Sequence, residues 1–102
     1  MSRGEIWWYE PPDRNPRPYL VMTRDEAIPV LAHLVAVPAT RTIRGIPTEI
    51  PLDRSDGMPI ECVLTVDNVG TVRRAFLTRR ITALAPDRMR IVCEALAFAI
   101  AC

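Results

Sequence analysis

The segment from Leu34 to Ile50 restricts the fold of this 102-residue chain more than any other part. Its first half is an apolar run that predicts a strand over residues 30–37. Pro38 is expected to end that strand, because proline cannot donate a ladder hydrogen bond. Gly45 then turns the chain, and a further strand is predicted over residues 46–52. The loop between the two strands is therefore held by rigid structure at both ends, as binding and catalytic loops often are.

Short apolar runs separated by proline and glycine continue along the rest of the sequence. They predict further strands over residues 4–9, 17–23, 60–68, 72–77 and 80–84. After Pro86 the apolar residues follow an i, i+3, i+4, i+7 pattern, which predicts one C-terminal helix. The expected fold is mainly β (α+β), with a strongly curved antiparallel sheet and this helix forming one domain over residues 1–102.

The composition excludes several classes of protein. Hydrophobic residues make up 49% of the chain, which is too many for a disordered protein. The longest apolar run, residues 95–102, is too short to cross a bilayer, and charged residues interrupt the first ten positions where a signal peptide would lie. A cytoplasmic location is therefore expected. Three widely spaced cysteines and one histidine do not have metal-ligand spacing, so neither a metal nor a cofactor is expected.

The basic residues favour an anionic partner at one end of the sheet. The net charge is only +1, but every one of the 13 basic residues is an arginine. A GC-rich genome explains this usage more simply than a phosphate ligand does, and both causes can act together. Arg17 precedes one predicted strand, and Arg41 and Arg44 follow another. Many acidic residues fall in turns elsewhere, so a local positive surface is compatible with the nearly neutral chain.

Five short motifs occur in order along the sequence. They are Arg3 to Trp7, Arg17 to Val21, Val37 to Thr40 continued by Gly45 to Pro47, Val63 to Asn68, and Leu84 to Asp87. Each motif alone is weakly specific, but together they cover essentially the whole chain. In this order they resemble the MazF/PemK family of toxin endoribonucleases. The resemblance implies a small SH3-like barrel of the CcdB/MazF-like kind with a C-terminal helix, usually as a homodimer.

The resemblance implies two catalytic residues, with Arg17 as the family's arginine and Thr40 as its threonine. Enzymes of this family promote attack of an RNA 2′-hydroxyl on the adjacent phosphorus, which leaves a 2′,3′-cyclic phosphate and a 5′-hydroxyl. A guanidinium can stabilise charge on the phosphoryl oxygens, and a hydroxyl can donate a hydrogen bond to one of them. The residues alone also allow an exposed ion pair of Arg17 with Asp13 or Glu10, and a backbone contact of the Thr40 hydroxyl.

Seven further residues near the same edge are candidates for RNA binding. They are Arg14, Asn15, Arg41, Arg44, Asp67, Asn68 and Trp7. Aromatic rings often stack on unpaired bases, so either Trp7 or Trp8 could stack one, and the other tryptophan is expected in the core. The sequence departs from the family at two places. The loop from Pro11 to Pro16 is short and lacks glycine, and Asn68 stands where glutamine is usual.

The sequence therefore predicts a sequence-specific, metal-independent endoribonuclease that cleaves single-stranded RNA. It would be the toxin of a toxin–antitoxin pair that inhibits translation and growth, and the tail of its antitoxin would neutralise it. Two alternatives remain. One is a non-enzymatic toxin of the same fold that poisons DNA gyrase, although such toxins end in Trp-Gly-Ile and this chain ends with residues 99–102 as Ala-Ile-Ala-Cys. The other is a catalytically inactive RNA-binding module, which the short loop from Pro11 to Pro16 would fit.

Overall fold

The computed structural model describes residues 1–101, and Cys102 lies outside the described residues. The strands are β1 Glu5–Tyr9, β2 Arg17–Val21, β3 His33–Thr40, β4 Glu49–Leu52, β5 Cys62–Thr65, β6 Gly70–Arg73 and β7 Leu77–Ala83. The helix α1 spans Pro86–Ala99. Short 3₁₀ turns span Arg54–Asp56, Val66–Asn68 and Arg74–Phe76.

The seven strands described in residues 1–101 form one antiparallel sheet around β3. Their order is β4-β5-β3-β2-β1-β7, and β6 pairs with the first half of β3. β3 therefore contacts β2 along one side and β6 followed by β5 along the other. The end strands β4 and β7 do not pair with each other within the described residues, so the curved sheet stays open. The predicted mainly β fold with a C-terminal helix is confirmed.

β3 continues through Pro38, so the prediction that proline ends this strand is wrong. Pro38 is buried and lies opposite Tyr19 of β2. On the other side of β3, pairing with β6 stops at Ala36 and pairing with β5 starts at Ala39. Pro38 thus lies where β3 changes partners. A strand tolerates a residue without a backbone N–H at such a place.

Two strands begin three residues later than the sequence predicted, because turns occupy their first residues. β3 begins at His33 instead of residue 30, since the preceding residues 25–30 form a turn. β4 begins at Glu49 instead of residue 46, since the Glu49 N–H donates a 3.0 Å hydrogen bond to the Ile46 carbonyl. A backbone donor used in a turn is not free to extend a ladder.

The last strands also differ from the prediction. β5 ends at Thr65, and Asp67 and Asn68 lie in the 3₁₀ turn that follows instead of at a strand end. The strands predicted over 72–77 and 80–84 are observed as a short β6 and a long β7, with a 3₁₀ turn between them. β7 is long because it pairs with β1 along the full length of that strand, across two register shifts.

Helix α1 packs on the larger of two buried apolar clusters. Pro86 occupies its first turn, and Ala85 at the cap position makes no side-chain hydrogen bond, as the sequence predicted. Val92 is fully buried in the larger cluster, which also contains Ile6, Leu20, Val37, Ile50 and Leu64. The helix has 14 residues, and within residues 1–101 none of the helices has the length and apolar character to cross a membrane.

Gly57 follows the 3₁₀ turn after β4, where a side chain fits poorly. Its φ is +91°, and an added β-carbon would lie 2.8 Å from Thr82 Cβ. We expect Gly57→Ala to lower the free energy of unfolding by about 2 kcal/mol or more, because the left-handed conformation alone costs roughly 1–2 kcal/mol. Urea unfolding measures the change. Gly45→Ala is the matched control, since Gly45 has a φ of +72° and no described atom within 4 Å of the added carbon. Equal losses in the two variants would contradict the steric argument.

Candidate active site

The two predicted catalytic residues lie at the same end of neighbouring strands. Arg17 is the first residue of β2 and Thr40 is the last residue of β3. These strands pair in antiparallel fashion with Tyr19 opposite Pro38, which brings the start of one beside the end of the other. Both side chains line the same two cavities. The structure therefore brings together the residues that the sequence predicted.

The two cavities share Arg17, Thr40 and Thr42 in their walls. The larger cavity has a volume of about 580 Å³, and the smaller cavity has a volume of about 230 Å³. Most other residues of the larger cavity are apolar, including Trp8, Pro18, Ala39, Met58, Ile60 and Cys62. The smaller cavity is also lined by Pro38, Arg44, Thr65 and Asn68. The arginine and the threonine thus face a mainly apolar and a mainly polar compartment.

The Thr40 hydroxyl has one backbone contact. Its Oγ1 accepts a hydrogen bond of 3.2 Å from the Thr42 N–H. This is the local contact that the sequence left open as an alternative to a functional role. Because the contact uses Oγ1 as an acceptor, the hydroxyl proton remains available to a ligand. The backbone contact therefore orients Thr40 without preventing it from donating.

The Arg17 guanidinium is exposed and has no ion pair with any residue of the range 1–101. The two acids that could have paired with it have other partners. Glu10 Oε1 lies 3.2 Å from Arg79 Nη2, and Asp13 Oδ1 lies 3.8 Å from Arg14 Nε. Arg17 therefore keeps its planar set of N–H donors for a ligand.

The charged groups around the two cavities are all positive. Among the described residues, the charged side chains that line them are Arg17, Arg41 and Arg44. Arg41, like Arg17, forms no ion pair within residues 1–101. Arg44 has the Glu49 carboxylate 3.7 Å away, so the positive potential that attracts anions comes mainly from the unpaired Arg17 and Arg41. This arrangement suits the phosphates of a nucleic acid backbone.

Three of the seven RNA-binding candidates line a cavity. Arg41 lines the larger one, and Arg44 and Asn68 line the smaller one. The other four line neither cavity: Arg14, Asn15, Asp67 and Trp7. Arg14 and Asn15 lie on the exposed loop before β2, where RNA binding stays a prediction.

The structure gives physical reasons why two of these candidates lie outside the site. Asp67 Oδ2 accepts a 2.5 Å hydrogen bond from the Thr48 hydroxyl. Trp7 packs against the smaller of the two apolar clusters, and its Nε1 donates a 3.1 Å hydrogen bond to Glu5 Oε1. The buried residues of this cluster are Tyr9, Val21, Ile28, Leu34, Ala36, Val72 and Leu77. Trp8 lines the larger cavity instead. Of the two tryptophans that the sequence left open, Trp8 therefore lines the cavity, and RNA binding by Trp7 stays a prediction.

Sequence reasoning missed several lining residues: Thr42, Met58, Pro59, Ile60, Cys62 and Thr65. The segment 58–62 reaches the site because β5 pairs with the end of β3, with Val63 opposite Thr40. An apolar strand pattern does not identify the strand's partner, so this contact has no signal in the sequence. Burial raises the pKa of the Cys62 thiol, and the Asp56 carboxylate raises it further. A protonated, buried thiol is not a nucleophile.

Buried Glu49 holds the loop 41–48 against the sheet. Its Oε1 accepts hydrogen bonds from the Arg44 and Gly45 N–H groups, both of 2.9 Å. Its Oε2 lies 3.7 Å from Arg44 Nη1, which is an ion-pair distance too long for a strong hydrogen bond. One carboxylate thus fixes both the loop backbone and the guanidinium that lines the smaller cavity.

Replacing Glu49 is expected to lower the free energy of unfolding. The loss should be larger when the hydrogen-bond acceptor is removed than when only its charge is removed. Glu49→Ala removes the acceptor of two charge-assisted bonds, and we expect it to lower the free energy of unfolding by about 2 kcal/mol, since one such bond contributes roughly 1.5–3 kcal/mol. Glu49→Gln keeps an oxygen acceptor without the charge, so its loss should be about half as large. Urea unfolding of both variants measures this order. Equal stability of wild type and Glu49→Ala would contradict the role of the carboxylate.

Comparison with known proteins agrees with the family that the motifs resemble. Residues 2–100 match a protein family described as PemK-like, MazF-like toxin of type II toxin-antitoxin system. The probable endoribonuclease MazF5 of Mycobacterium tuberculosis is 41% identical over 102 residues, which cover 99% of this chain and 94% of that relative. The family match and this relative both extend along nearly the whole sequence.

Solved structures have the same fold. The toxin MazF-mt6 of Mycobacterium tuberculosis superposes with a TM-score of 0.84 at 30% identity, covering 93% of this chain and 94% of that one. An endoribonuclease in complex with its cognate antitoxin, from a mycobacterial species, gives a TM-score of 0.87 at 26% identity over 98% of this chain and 94% of that one. This chain therefore belongs to the PemK-like, MazF-like family of toxins of type II toxin–antitoxin systems.

Proposed function

We propose that this protein is a toxin endoribonuclease that cuts single-stranded RNA at specific sequences and needs no metal ion. The observation that carries the proposal is the placement of Arg17 and Thr40 together between two cavities that no carboxylate of residues 1–101 lines. The relatives support it, because MazF5 is named a probable endoribonuclease and a similar endoribonuclease was solved with its antitoxin.

Arg17 and Thr40 can provide the charge stabilisation that RNA cleavage needs. In the proposed reaction, the 2′-oxygen uses a lone pair to form a bond to phosphorus. The bond from phosphorus to the 5′-oxygen then breaks, and its electron pair leaves with that oxygen. The Arg17 guanidinium would stabilise the negative phosphoryl oxygens of the pentacovalent state. The Thr40 hydroxyl would donate to one of the non-bridging oxygens, with Oγ1 still oriented by the Thr42 N–H.

The proton of the 2′-hydroxyl must move to the leaving 5′-oxygen. A guanidinium stays protonated at neutral pH and is a poor base, so Arg17 acts in this proposal as a fixed charge. No histidine, aspartate or glutamate among the described residues lines either cavity. We therefore assign the proton transfer to solvent water, and the protein contributes orientation and electrostatic stabilisation.

The cavities also account for the preference for unpaired RNA. A base enters a protein cavity only when it is free of its partner strand, and its edges can then form hydrogen bonds. Arg44 and Asn68 offer N–H donors and an amide oxygen in the smaller cavity. Sequence preference would arise from these polar contacts. Cleavage of cellular RNA at such sites would inhibit translation and growth.

The remaining parts of the proposal concern partners and location. The tail of an antitoxin that covers the Arg17 and Thr40 surface would exclude RNA from it. We also assign a homodimer to this protein. The cytoplasmic location that we assign agrees with an RNA substrate.

The 2′-hydroxyl mechanism can be tested with one chemical change in the substrate. An oligoribonucleotide that spans a mapped cut is compared with the same oligonucleotide carrying 2′-deoxyribose just before the scissile phosphate, both in EDTA. We expect cleavage of the first and no cleavage of the second. Cleavage of both would contradict attack by the 2′-oxygen. If no cut can be mapped although the protein binds RNA, an inactive RNA-binding module is favoured instead.

A further inference from the structure

The adjacent tryptophans of β1, Trp7 and Trp8, each lie opposite an arginine of β7. Among the residues that the structure describes, only Trp7 also forms a side-chain hydrogen bond with its indole N–H. Trp7 lies opposite Arg80. Glu5 links the two, since Oε1 accepts from Trp7 Nε1 at 3.1 Å and Oε2 accepts from Arg80 Nε at 3.0 Å. Burial opposes a charged Glu5, yet hydrogen bonds from Trp7, the Ser2 N–H and Arg80 lower its pKa. A charged carboxylate therefore holds Trp7 in place at neutral pH.

Trp8 has the corresponding arginine without the corresponding hydrogen bond. It lies opposite Arg79, whose Cζ is 5.7 Å from the centre of the indole ring. Glu10 Oε1 holds Arg79 Nη2 at 3.2 Å, as Glu5 holds the other arginine. Within residues 1–101, however, the Trp8 indole N–H has no hydrogen-bond partner. The ring is thus supported by a cation but is not bound into the core.

The Trp8 ring lies between an arginine and the larger cavity in the residue contacts. Trp8 lines this cavity, whereas Arg79, whose Cζ is 5.7 Å from the ring centre, does not. Trp8 lies opposite Pro18 of β2, and both belong to the apolar wall of the cavity. Arg17 and Arg41, which have no ion pairs within residues 1–101, line the same cavity. An aromatic ring beside free guanidinium groups fits a flat base joined to a phosphate.

We propose that Trp8 is the stacking surface for the unpaired base next to the scissile phosphate, and that Arg79 positions its ring. This inference rests on the proposed function, and it decides between the two tryptophans that the sequence left as alternatives for stacking. Stacking tolerates every base because each has a flat aromatic face. Trp8 would therefore require that a base is present and unpaired, and the polar groups of the smaller cavity would set which sequence is preferred.

Tryptophan fluorescence tests the contact without any need for cleavage. The chain has two tryptophans, so Trp7→Phe and Trp8→Phe each leave one emitter. Each variant is titrated with an oligoribonucleotide that spans a mapped cut and carries 2′-deoxyribose before the scissile phosphate. We expect saturable quenching in Trp7→Phe, where Trp8 remains, and little change in Trp8→Phe. Quenching of Trp7 alone, or of neither tryptophan, would overturn the inference.

Cleavage of an abasic substrate provides the second test. We expect Trp8→Ala to lower kcat/KM by roughly tenfold to a hundredfold on RNA with all bases present. For wild type, removing the base at one of the two positions that flank the cut should cause a similar loss. On that abasic RNA, the kcat/KM of Trp8→Ala should be close to the kcat/KM of wild type. Additive losses at both flanking positions would mean that Trp8 does not contact either base.

A matched pair of arginine variants tests the positioning role. Arg79→Ala should weaken the quenching of Trp8 emission and raise KM, because the ring loses the group that holds it. Arg80→Ala changes the equivalent contact beside Trp7 and should alter KM by less than about twofold. Equal effects of the two substitutions would contradict a specific role for Arg79.

The design separates failure of this inference from failure of the proposed function. If wild type cuts RNA but loss of the base and loss of Trp8 act independently, only the inference is wrong. If wild type cuts no RNA, the proposed endoribonuclease is wrong. The fluorescence titration, carried out with an unstructured mixed-sequence RNA, then still decides whether Trp8 contacts a base.

Discussion

Arg17→Ala is expected to lower the rate of RNA cleavage by about 10³-fold. The variant removes the unpaired guanidinium that lines both cavities, and with it the fixed charge beside the phosphoryl oxygens. Loss of a single donor aimed at developing charge costs about 10²–10³ in rate, and loss of a catalytic arginine costs about 10³–10⁵. Arg17→Lys keeps the charge without the planar fork, so it should recover only part of the rate. Single-turnover cleavage of a fixed RNA measures these differences.

Loss of the Arg17 side chain should not change the stability of the fold. The side chain is exposed and has no ion pair within residues 1–101, so the midpoint of urea unfolding should not change. Arg24→Ala is the control, because Arg24 is another exposed arginine and lines neither cavity. It should cleave RNA at the wild-type rate. A folded Arg17→Ala variant that retains more than about a tenth of the wild-type rate would be incompatible with this role.

Thr40→Ala is expected to lower the cleavage rate by about 10²-fold, since one hydrogen-bond donor to the transition state is lost. Thr40→Ser keeps the hydroxyl, which accepts from the Thr42 N–H in the native protein, and should stay within about tenfold of wild type. The effect should appear in kcat more than in KM, because the bond strengthens as charge develops on the phosphoryl oxygen.

Two comparisons test whether the hydroxyl of Thr40, and not its methyl group or its backbone, is responsible for the effect on cleavage. Thr71→Ala removes an exposed threonine of β6 that lines neither cavity, and it should leave cleavage unchanged. If Thr40→Ser were as slow as Thr40→Ala, the methyl group or the backbone would be responsible, and the hydroxyl would not have the proposed role.

Much of the fold could be predicted from local pattern. Alternating apolar runs, turn residues and the periodicity after Pro86 reflect local physics, and they predicted the sheet and helix α1. The pairing of β2 with β3 then places Arg17 beside Thr40, as the resemblance implied. Pro38 misled the strand prediction because its tolerance depends on where β3 changes partners, which is a tertiary property.

The parts of the site that could not be predicted depend on contacts between distant segments. The choice between Trp7 and Trp8 depends on Glu5 and on two register shifts between β1 and β7. A strict alternation cannot show such shifts. The role of Glu49 could not be predicted from the sequence either. Its carboxylate accepts hydrogen bonds from backbone N–H groups, which almost every residue carries.

The measurement that tests the central proposal most directly is an end-group analysis of cleaved RNA. Wild type, Arg17→Ala and Thr40→Ala are incubated with a long unstructured RNA in EDTA, and the fragments are analysed for their ends. We predict discrete wild-type cuts with 2′,3′-cyclic phosphate and 5′-hydroxyl ends, and strong loss of cutting in both variants. Intact RNA with folded wild-type protein, or cutting by both variants at the wild-type rate, would contradict an endoribonuclease that acts through Arg17 and Thr40.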